Sequence, residues 1–485
     1  MIPISLRRIP PQAVRAGRAG RPWNTQGGIQ VRTYNFPGGV HPVAPSYDEK
    51  PTGQSSIRVM PAPDVVVIPM VRVFGAPLTP LVKRGDFVKL GQRIGDSDEF
   101  VSAPIHASVS GKVIAVEPRP HPTGRRLTPS VIIANDRRDE WDPSCTPHPD
   151  PDALTGEEII ALVRDKGIVG LGGATFPTHV KLRPPKGGKI DILIANGAEC
   201  EPYLSADDRL MQERSHQVID GMKLAMRALG VTRAYIGIEA NKPAAIRAVT
   251  EAAKNTPVRV RTLKVKYPQG GEKQIIYALT GRQVRSGRMP SDAGCAVFNV
   301  GTLAAIHRAV VEGRPMIDRV VTVAGSAVWE NANLEVRIGT SLRACIKFCG
   351  GYTGSAKPDK LISGGPMMGT ALYTDEVPMI AGTSGILALT GEQAHVPPES
   401  ACIRCGRCHH VCPINLQPYA ISDAMDVNDA AKAAQFSALD CIECGACVYI
   451  CPARRHLLQN IRLAKALLRG AGAGVLADNG MIGHG

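Results

Sequence analysis

The sequence predicts a multidomain α/β protein that ends in a helical domain. Three observations carry this expectation. Short Val/Ile runs, split by Gly-Asp and Gly-Gln turns, fill Val65 to Val116 and read as strands. From Thr155 onward, strand-like and helix-like segments alternate, which argues for a parallel sheet with helices on its faces. Eight of the thirteen cysteines fall into two copies of one pattern, within a largely helical stretch from about Pro397 to Leu468.

A chain of 485 residues holds about three domains, and 44% hydrophobic residues suffice for several cores. The stretch Val82 to Gln92, with Ala103-Pro104 and Val109 to Val113, resembles the flattened barrel of lipoyl and biotinyl domains. Such barrels offer a modifiable lysine at a hairpin tip. Here the tip region is Asp96 to Phe100 and has no lysine, so a docking module is expected rather than a swinging arm. In the α/β region the pattern predicts helices at Gly156 to Lys166, Asp208 to Leu229 and Lys242 to Lys254. Strands are predicted at Ile190 to Ala195, Ala234 to Ile238 and Val258 to Val265. Short strands around a Gly-rich turn at Val320 to Gly339 suggest a small β-grasp unit, and Ala420 to Leu439 reads as a helix between the cysteine runs.

The net charge is +14, and six arginines from Arg7 to Arg32 precede the first acid, Asp48. That segment has no apolar core of the secretory kind and reads as a basic, flexible lead-in. Its other reading is contact with anionic lipid or an acidic protein. No apolar run approaches the ~18 residues of a spanning helix, and no aromatic and basic ladder suggests nucleic acid. A soluble or peripheral protein is expected.

The first cysteine run is Cys402, Cys405, Cys408 and Cys412-Pro413; the second is Cys441, Cys444, Cys447 and Cys451-Pro452. This is the bacterial ferredoxin run, which holds two [4Fe–4S] clusters. Three closely spaced thiolates wrap one cluster and the fourth, before proline, reaches the other. The expected sets are Cys402, Cys405, Cys408 and Cys451, and Cys441, Cys444, Cys447 and Cys412. Zinc or a disulfide is the lesser reading, because it does not call for two full runs each with its proline. Free thiolates point to a reducing, cytoplasmic setting. The scattered Cys145, Cys200, Cys295, Cys345 and Cys349 read mostly as small core residues. His409 and His410 read as a solvated surface pair.

A second site is suggested by the loop Gly170, Gly172, Gly173, Thr175, Phe176 to Lys181. Glycines bring backbone N–H groups close to a phosphate, and Lys181 adds charge. Asn196, Glu199 and Glu201 follow a strand, and ligands of open α/β sheets bind at the carboxyl ends of strands. These side chains suit ribityl or ribose hydroxyls; for the two glutamates a salt-bridged loop is the other reading. Tyr267 to Lys273, with Gly271 and Glu272, is a third loop of the same character.

Together with Phe298, Asn299 and Thr302, these loops resemble the flavin- and NADH-binding subunit of respiratory complex I. With the barrel in front and two ferredoxin runs behind, roughly residues 34 to 470 resemble the RnfC (RsxC) family, a component of Rnf (Rsx) electron-transport complexes. Supporting stretches are Phe36 to Pro42, Ser363 to Gly369 and Ala401 to Cys408. Composition gives a basic flexible segment at 1–50, and the resemblance implies a barrel-sandwich module at 51–150. A Rossmann-like FMN/NADH domain at 151–315 and a β-grasp (SLBB-type) module with its connector at 316–395 follow. The helical 2[4Fe–4S] domain then spans 396–470, with a flexible tail at 471–485.

By the same resemblance, Gly170, Gly172, Gly173, Lys181, Asn196 and Asn299 cradle FMN, with Thr302 near its phosphate. Gly271 and Glu272 belong to the same site. Phe176 offers a ring to nicotinamide or adenine, and Glu199 and Glu201 lie beside the isoalloxazine or nicotinamide. Thr175, Ala198 and Gly301 depart from the complex I pattern, which expects a glycine, an acid and a glutamate there. No catalytic side chain is implied, because hydride transfer rests on positioning.

The expected activity is electron transfer between NAD(H), FMN and two clusters, onward to membrane subunits and finally ferredoxin, with ion movement in the complex. The expected place is peripheral, on the cytoplasmic face of the bacterial inner membrane. Electron direction and the choice of Na⁺ or H⁺ stay open. The alternatives are a soluble flavin–iron–sulfur dehydrogenase or hydrogenase subunit, and a non-catalytic electron relay.

Overall fold

The computed structural model describes residues 23–26, 29–42, 50, 52–123, 127–183, 188–354 and 358–478. Residues 1–22 and 479–485 lie outside them, so the expected flexibility of those two stretches does too. Within the lead-in, Trp23–Gln26 pairs antiparallel with Ile29–Arg32. Residues 34–42 form an ordered strap, which corrects the expectation of a flexible segment up to residue 50. Phe36 and Val40 are buried, and the strap exchanges backbone hydrogen bonds with Thr262, Lys264, Tyr267 and Val411.

The first module is a sandwich of two small sheets. One runs Val65–Pro69, Thr128–Asn135, Gly111–Arg119, Phe87–Val88; the other runs Thr79–Pro80, Arg93–Asp96, Ile105–His106. Alternate residues such as Val66, Ile68, Ile94, Val113 and Ile133 point inward and form its core. Its tip is tied down: Arg164 pairs with Asp96 at 3.3 Å, and Phe100 packs edge-on against His179. The preceding strand, Arg58–Val59, belongs elsewhere, on the edge of the third module's sheet.

The second module is a four-stranded parallel sheet in the order Val258–Leu263, Ala234–Glu239, Ile192–Gly197, Cys295–Asn299. Helices Gly156–Asp165, Ser215–Leu229 and Val300–Val310 pack together on one face, and Glu272–Thr280 covers the other. The single helix expected from Asp208 to Leu229 is two, Ala206–Glu213 and Ser215–Leu229. The break is Arg214, whose guanidinium makes a two-pronged pair with Glu335 at 2.8 and 2.6 Å. That pairing ties the elbow to the third module.

The third module is a six-stranded mixed sheet: Thr370–Leu372, Lys360–Ser363, Gly385–Leu389, Asp318–Ala324, Ala332–Arg337, Arg58–Val59. The expected turn at Val320 to Gly339 joins its antiparallel central pair.

The C-terminal domain is helical, but the expected helix from Ala420 to Leu439 is interrupted. Pro418–Asp426 ends before Asn428, which is left-handed; Asp429 then caps Ala430–Gln435 through the Lys432 amide. Asn and Asp favour these conformations over helix interiors. The last helix, Leu457–Asp478, runs past the expected end near Arg469.

Helices Ser215–Leu229 and Val300–Val310 approach so closely that a Cβ on Gly221 would sit 1.9 Å from the Leu303 carbonyl oxygen. Gly221→Ala gains about 1 kcal/mol of helix propensity, but the clash outweighs it. A net loss of about 2 kcal/mol is expected, read as a lower urea midpoint with unchanged slope; an unchanged midpoint would contradict this packing.

Candidate functional site

The glycine loop leaves helix Gly156–Asp165 and turns back at Gly173, whose φ of 111° suits glycine and whose missing Cβ would meet nothing within 4 Å. The loop backbone is therefore open to a ligand on that side. It is braced from below, where the buried Thr302 hydroxyl accepts the Leu171 amide at 2.9 Å. Thr302 holds the loop in shape.

Strands Ile192–Gly197 and Cys295–Asn299 bring Asn196 and Asn299 side by side at their carboxyl ends. The Asn196 amide donates to the Gly270 carbonyl at 2.7 Å, which joins the first strand to the third loop. Asn299 caps helix Val300–Val310 by accepting the Gly301 amide and donates to Asp207 at 2.6 Å. Gly301 thus serves the cap, and a Cβ there would crowd the Asn299 amide oxygen at 3.0 Å. Each asparagine keeps a second amide hydrogen for a ligand. Lys181 pairs with Glu272 at 2.7 Å and donates to the Val297 carbonyl at 2.8 Å. Glu272 opens helix Glu272–Thr280, and Gly271 is its cap.

The two glutamates are held by backbone. Glu199, itself left-handed, accepts the amides of Asp207 and Asp208 at 2.7 and 3.0 Å and so caps helix Ala206–Glu213. Glu201 accepts the amides of Met367 and Met368 at 3.0 and 2.9 Å and fastens the Ser363 to Gly369 loop. Burial pushes both carboxyls up to about 7, against the pull of Lys50 and, for Glu201, of the two methionine amides.

Around Glu199 lies a charged network that no sequence motif signalled. Lys50 donates to the Glu199 carbonyl, and Lys242 pairs with Glu239 at 3.2 Å and donates to the Ala198 carbonyl at 2.7 Å. Arg319 is buried and donates to the Leu171 carbonyl at 3.3 Å, while burial lowers its pKa to about 10. These cations reach the site from three different modules. No local spacing links them, so only the fold brings them together.

In the helical domain the two cysteine runs repeat one local conformation. Left-handed residues recur at Arg404 and Glu443, Gly406 and Gly445, and Asn415 and Arg454, each pair thirty-nine residues apart. A short helix follows each left-handed glycine, Arg407–His410 and Ala446–Ile450. Cys402, Cys405, Cys408 and Cys451 line one cavity of about 250 Å³. Burial raises the pKa values of the Cys441, Cys444 and Cys447 thiols, and the nearby Cys412 adds to the rise in each, as Cys408 does in Cys447. The residues of each expected set thus lie near one another. Among the described residues no three metal-binding side chains converge on one point, as a single ion requires. Thiols around an open cavity suit a larger iron–sulfur group. Amides of Leu416 and Glu443 donate to Cys412 and Cys441 sulfur at 3.2 and 3.4 Å, contacts of the kind that would tune the potential of a cluster held there. His409 and His410 are exposed. Cys200, Cys295, Cys345 and Cys349 are buried, and Cys145 is partly so.

The two sites share a wall. The buried Tyr267 hydroxyl donates to the Cys444 carbonyl at 2.6 Å, and Tyr267, Cys200, Val40, Cys444 and Ala446 form one apolar cluster. Gln274 donates to the Pro413 carbonyl at 3.3 Å. The Cys441 set thus abuts the third glycine loop. Cys405, of the other set, is exposed.

An open glycine loop at a sheet end, walled by a two-set thiol domain, defines a flavin–iron–sulfur electron-transfer protein. Family matches agree in order along the chain: an RnfC barrel sandwich hybrid domain at 34–138, a Nuo51 FMN-binding domain at 163–308, an SLBB domain at 320–371 and a 4Fe-4S dicluster domain at 397–452. The chain carries FMN and two [4Fe–4S] clusters.

Three relatives are the C components of redox complexes. That of the Na(+)-translocating ferredoxin:NAD(+) oxidoreductase complex of Acetobacterium woodii is 48% identical over 90% of this chain and 98% of its own length. That of the proton-translocating ferredoxin:NAD(+) oxidoreductase complex of Clostridium ljungdahlii is 48% identical over 90% and 95%. That of the ion-translocating oxidoreductase complex of Rhodobacter capsulatus is 41% identical over 90% and 84%. The chain belongs to this RnfC family.

Lys242 and Glu239 side chains are each only 1% exposed. Lys242→Ala leaves the Glu239 carboxylate buried without its cation, which costs about 3–5 kcal/mol. A fall of that size in urea-measured stability, with reduced FMN content, is expected; a change below about 1 kcal/mol would show the pair to be hydrated.

Proposed function

We propose that this chain is the NAD(H)-reactive, peripheral subunit of a membrane oxidoreductase complex, and that it passes electrons between NAD(H), FMN and its two clusters. When bound, FMN exchanges a hydride with the nicotinamide and single electrons with the clusters. The chain's own residues supply the positioning. Gly172 and Gly173 offer backbone N–H groups to the phosphate, whereas the Gly170 amide donates to the Phe176 carbonyl at 2.9 Å and so closes the loop instead of meeting the ligand as expected; Lys181, steered by Glu272, adds charge beside them. Asn196 and Asn299 present amide hydrogens at the sheet end. Glu199 and Glu201 set the loops that frame the ring system, with Gly271 at the turn. The crossed cysteine sets hold the clusters.

The observation that carries this reading is the wall from Tyr267 to Cys444. It supports an order of transfer: the Cys441 set exchanges electrons with the flavin, and the Cys402 set, with its exposed Cys405, exchanges them with a partner. The relatives' names couple ferredoxin with NAD(+) and with movement of Na⁺ or protons, and we infer the same couple here, through other subunits of the complex. Among the described residues no helix is long and apolar enough to cross a membrane. A peripheral seat on the cytoplasmic face, where NAD(H) is found, fits that observation.

The order is tested by paired variants. Cys405→Ala should remove about half of the iron, leave FMN bound, and still let NADH reduce the remaining cluster while transfer to an external acceptor stops. Cys444→Ala should leave flavin reduction intact and block every later step. Equal behaviour of the two variants would overturn the order, and unchanged iron in both would overturn the ligand sets.

A further inference from the structure

Phe74 lies in the barrel-sandwich module, beyond the Nuo51-like stretch of the chain, yet its ring packs against the glycine loop of the next module. Its ring is 5.1 Å from that of Phe176, tilted by 40°, and it stays 51% exposed. The contact is built. The buried Thr175 hydroxyl accepts the Val73 amide at 2.8 Å and the Phe74 amide at 3.4 Å, which pins the barrel loop onto the glycine loop. A third segment closes against both: a Cβ on Gly382 would meet the Gly173 oxygen at 2.7 Å and Thr175 at 3.0 Å. Thr175 is also where this chain departs from the glycine of the complex I pattern. The departure thus has a structural use, because glycine has no hydroxyl to hold the barrel loop.

A large aromatic ring held half in water beside a ligand loop leaves apolar area uncovered that a flat partner would bury. Resting on the functional reading above, we propose that Phe74 and Phe176 form a two-ring platform on which a planar base of the dinucleotide stacks, so that the barrel module completes the NAD(H) site. Phe74 itself stands outside the proposed FMN cradle, which the glycine loop forms with Asn196 and Asn299.

The test is NADH affinity by anaerobic equilibrium binding to the intact protein and its Phe74→Ala and Phe74→Tyr variants. Stacking of one base on an aromatic side chain corresponds to about tenfold or more in affinity. Phe74→Ala should weaken NADH by about that factor, with FMN and iron content as in the parent. Phe74→Tyr, which keeps the ring, should restore binding. Nicotinamide mononucleotide and ADP-ribose as separate probes assign the base: the half that loses affinity in Phe74→Ala is the half that stacks. Unchanged NADH affinity in Phe74→Ala, or loss shared equally by Phe74→Tyr, would overturn the proposal. A parent protein that binds FMN but no NADH would instead overturn the functional reading on which it rests.

Discussion

Tyr267 donating to the Cys444 carbonyl is the contact on which the arrangement depends. Electron transfer weakens steeply with separation, so a flavin and a cluster on different domains are useful only if their distance is fixed. The Tyr267 ring is 1% exposed and sits in the loop that also carries Gly270 and Gly271. One short segment therefore faces the flavin site on one side and the Cys441 set on the other. The strap at 34–42 reinforces the same seam. Val40 exchanges backbone hydrogen bonds with Tyr267, and Gly39 donates to the Val411 carbonyl, next to Cys412. A Cβ at Gly38 would meet the Cys412 carbonyl at 2.8 Å, so its glycine permits the approach.

The flavin site is held by buried charge as much as by apolar packing. Lys50, Lys242 and Arg319 come from the lead-in, the α/β sheet and the third module, and they surround Glu199 with Asp207 and Glu239. Buried ions are costly unless paired, so the modules must assemble in one relative placement for these charges to be matched. The same network occupies the Ala198 and Glu199 carbonyls just past the strand and leaves the Glu199 carboxylate to cap helix Ala206–Glu213.

Much of this was legible in the sequence because the informative residues are close together along the chain. The cysteine runs carry their own spacing, and the glycine loop and the Asn196 to Glu201 stretch lie at either end of one α/β unit. Other features were not legible. The role of Glu199 and Glu201 as backbone acceptors depends on loops reached only in three dimensions, Ala206–Glu213 and Met367-Met368. Arg214 looks like any helical arginine until Glu335, in another module, draws it out of the helix. Phe74 and Thr175 are about a hundred residues apart, and neither stands in a motif that names the other. The strap lacked any helical or strand period, so a basic lead-in read as flexible although its end is pinned by backbone pairing.

The proposed path runs on one polypeptide, from nicotinamide through flavin to the iron–sulfur clusters. Stopped-flow absorbance of the anaerobically purified chain after mixing with NADH tests it directly. Loss of flavin absorbance followed by bleaching of the broad iron–sulfur band is the expected sequence. Clusters and flavin both present, with flavin bleached and the iron–sulfur band unchanged, would show that the wall between Tyr267 and Cys444 does not conduct and would contradict a continuous path.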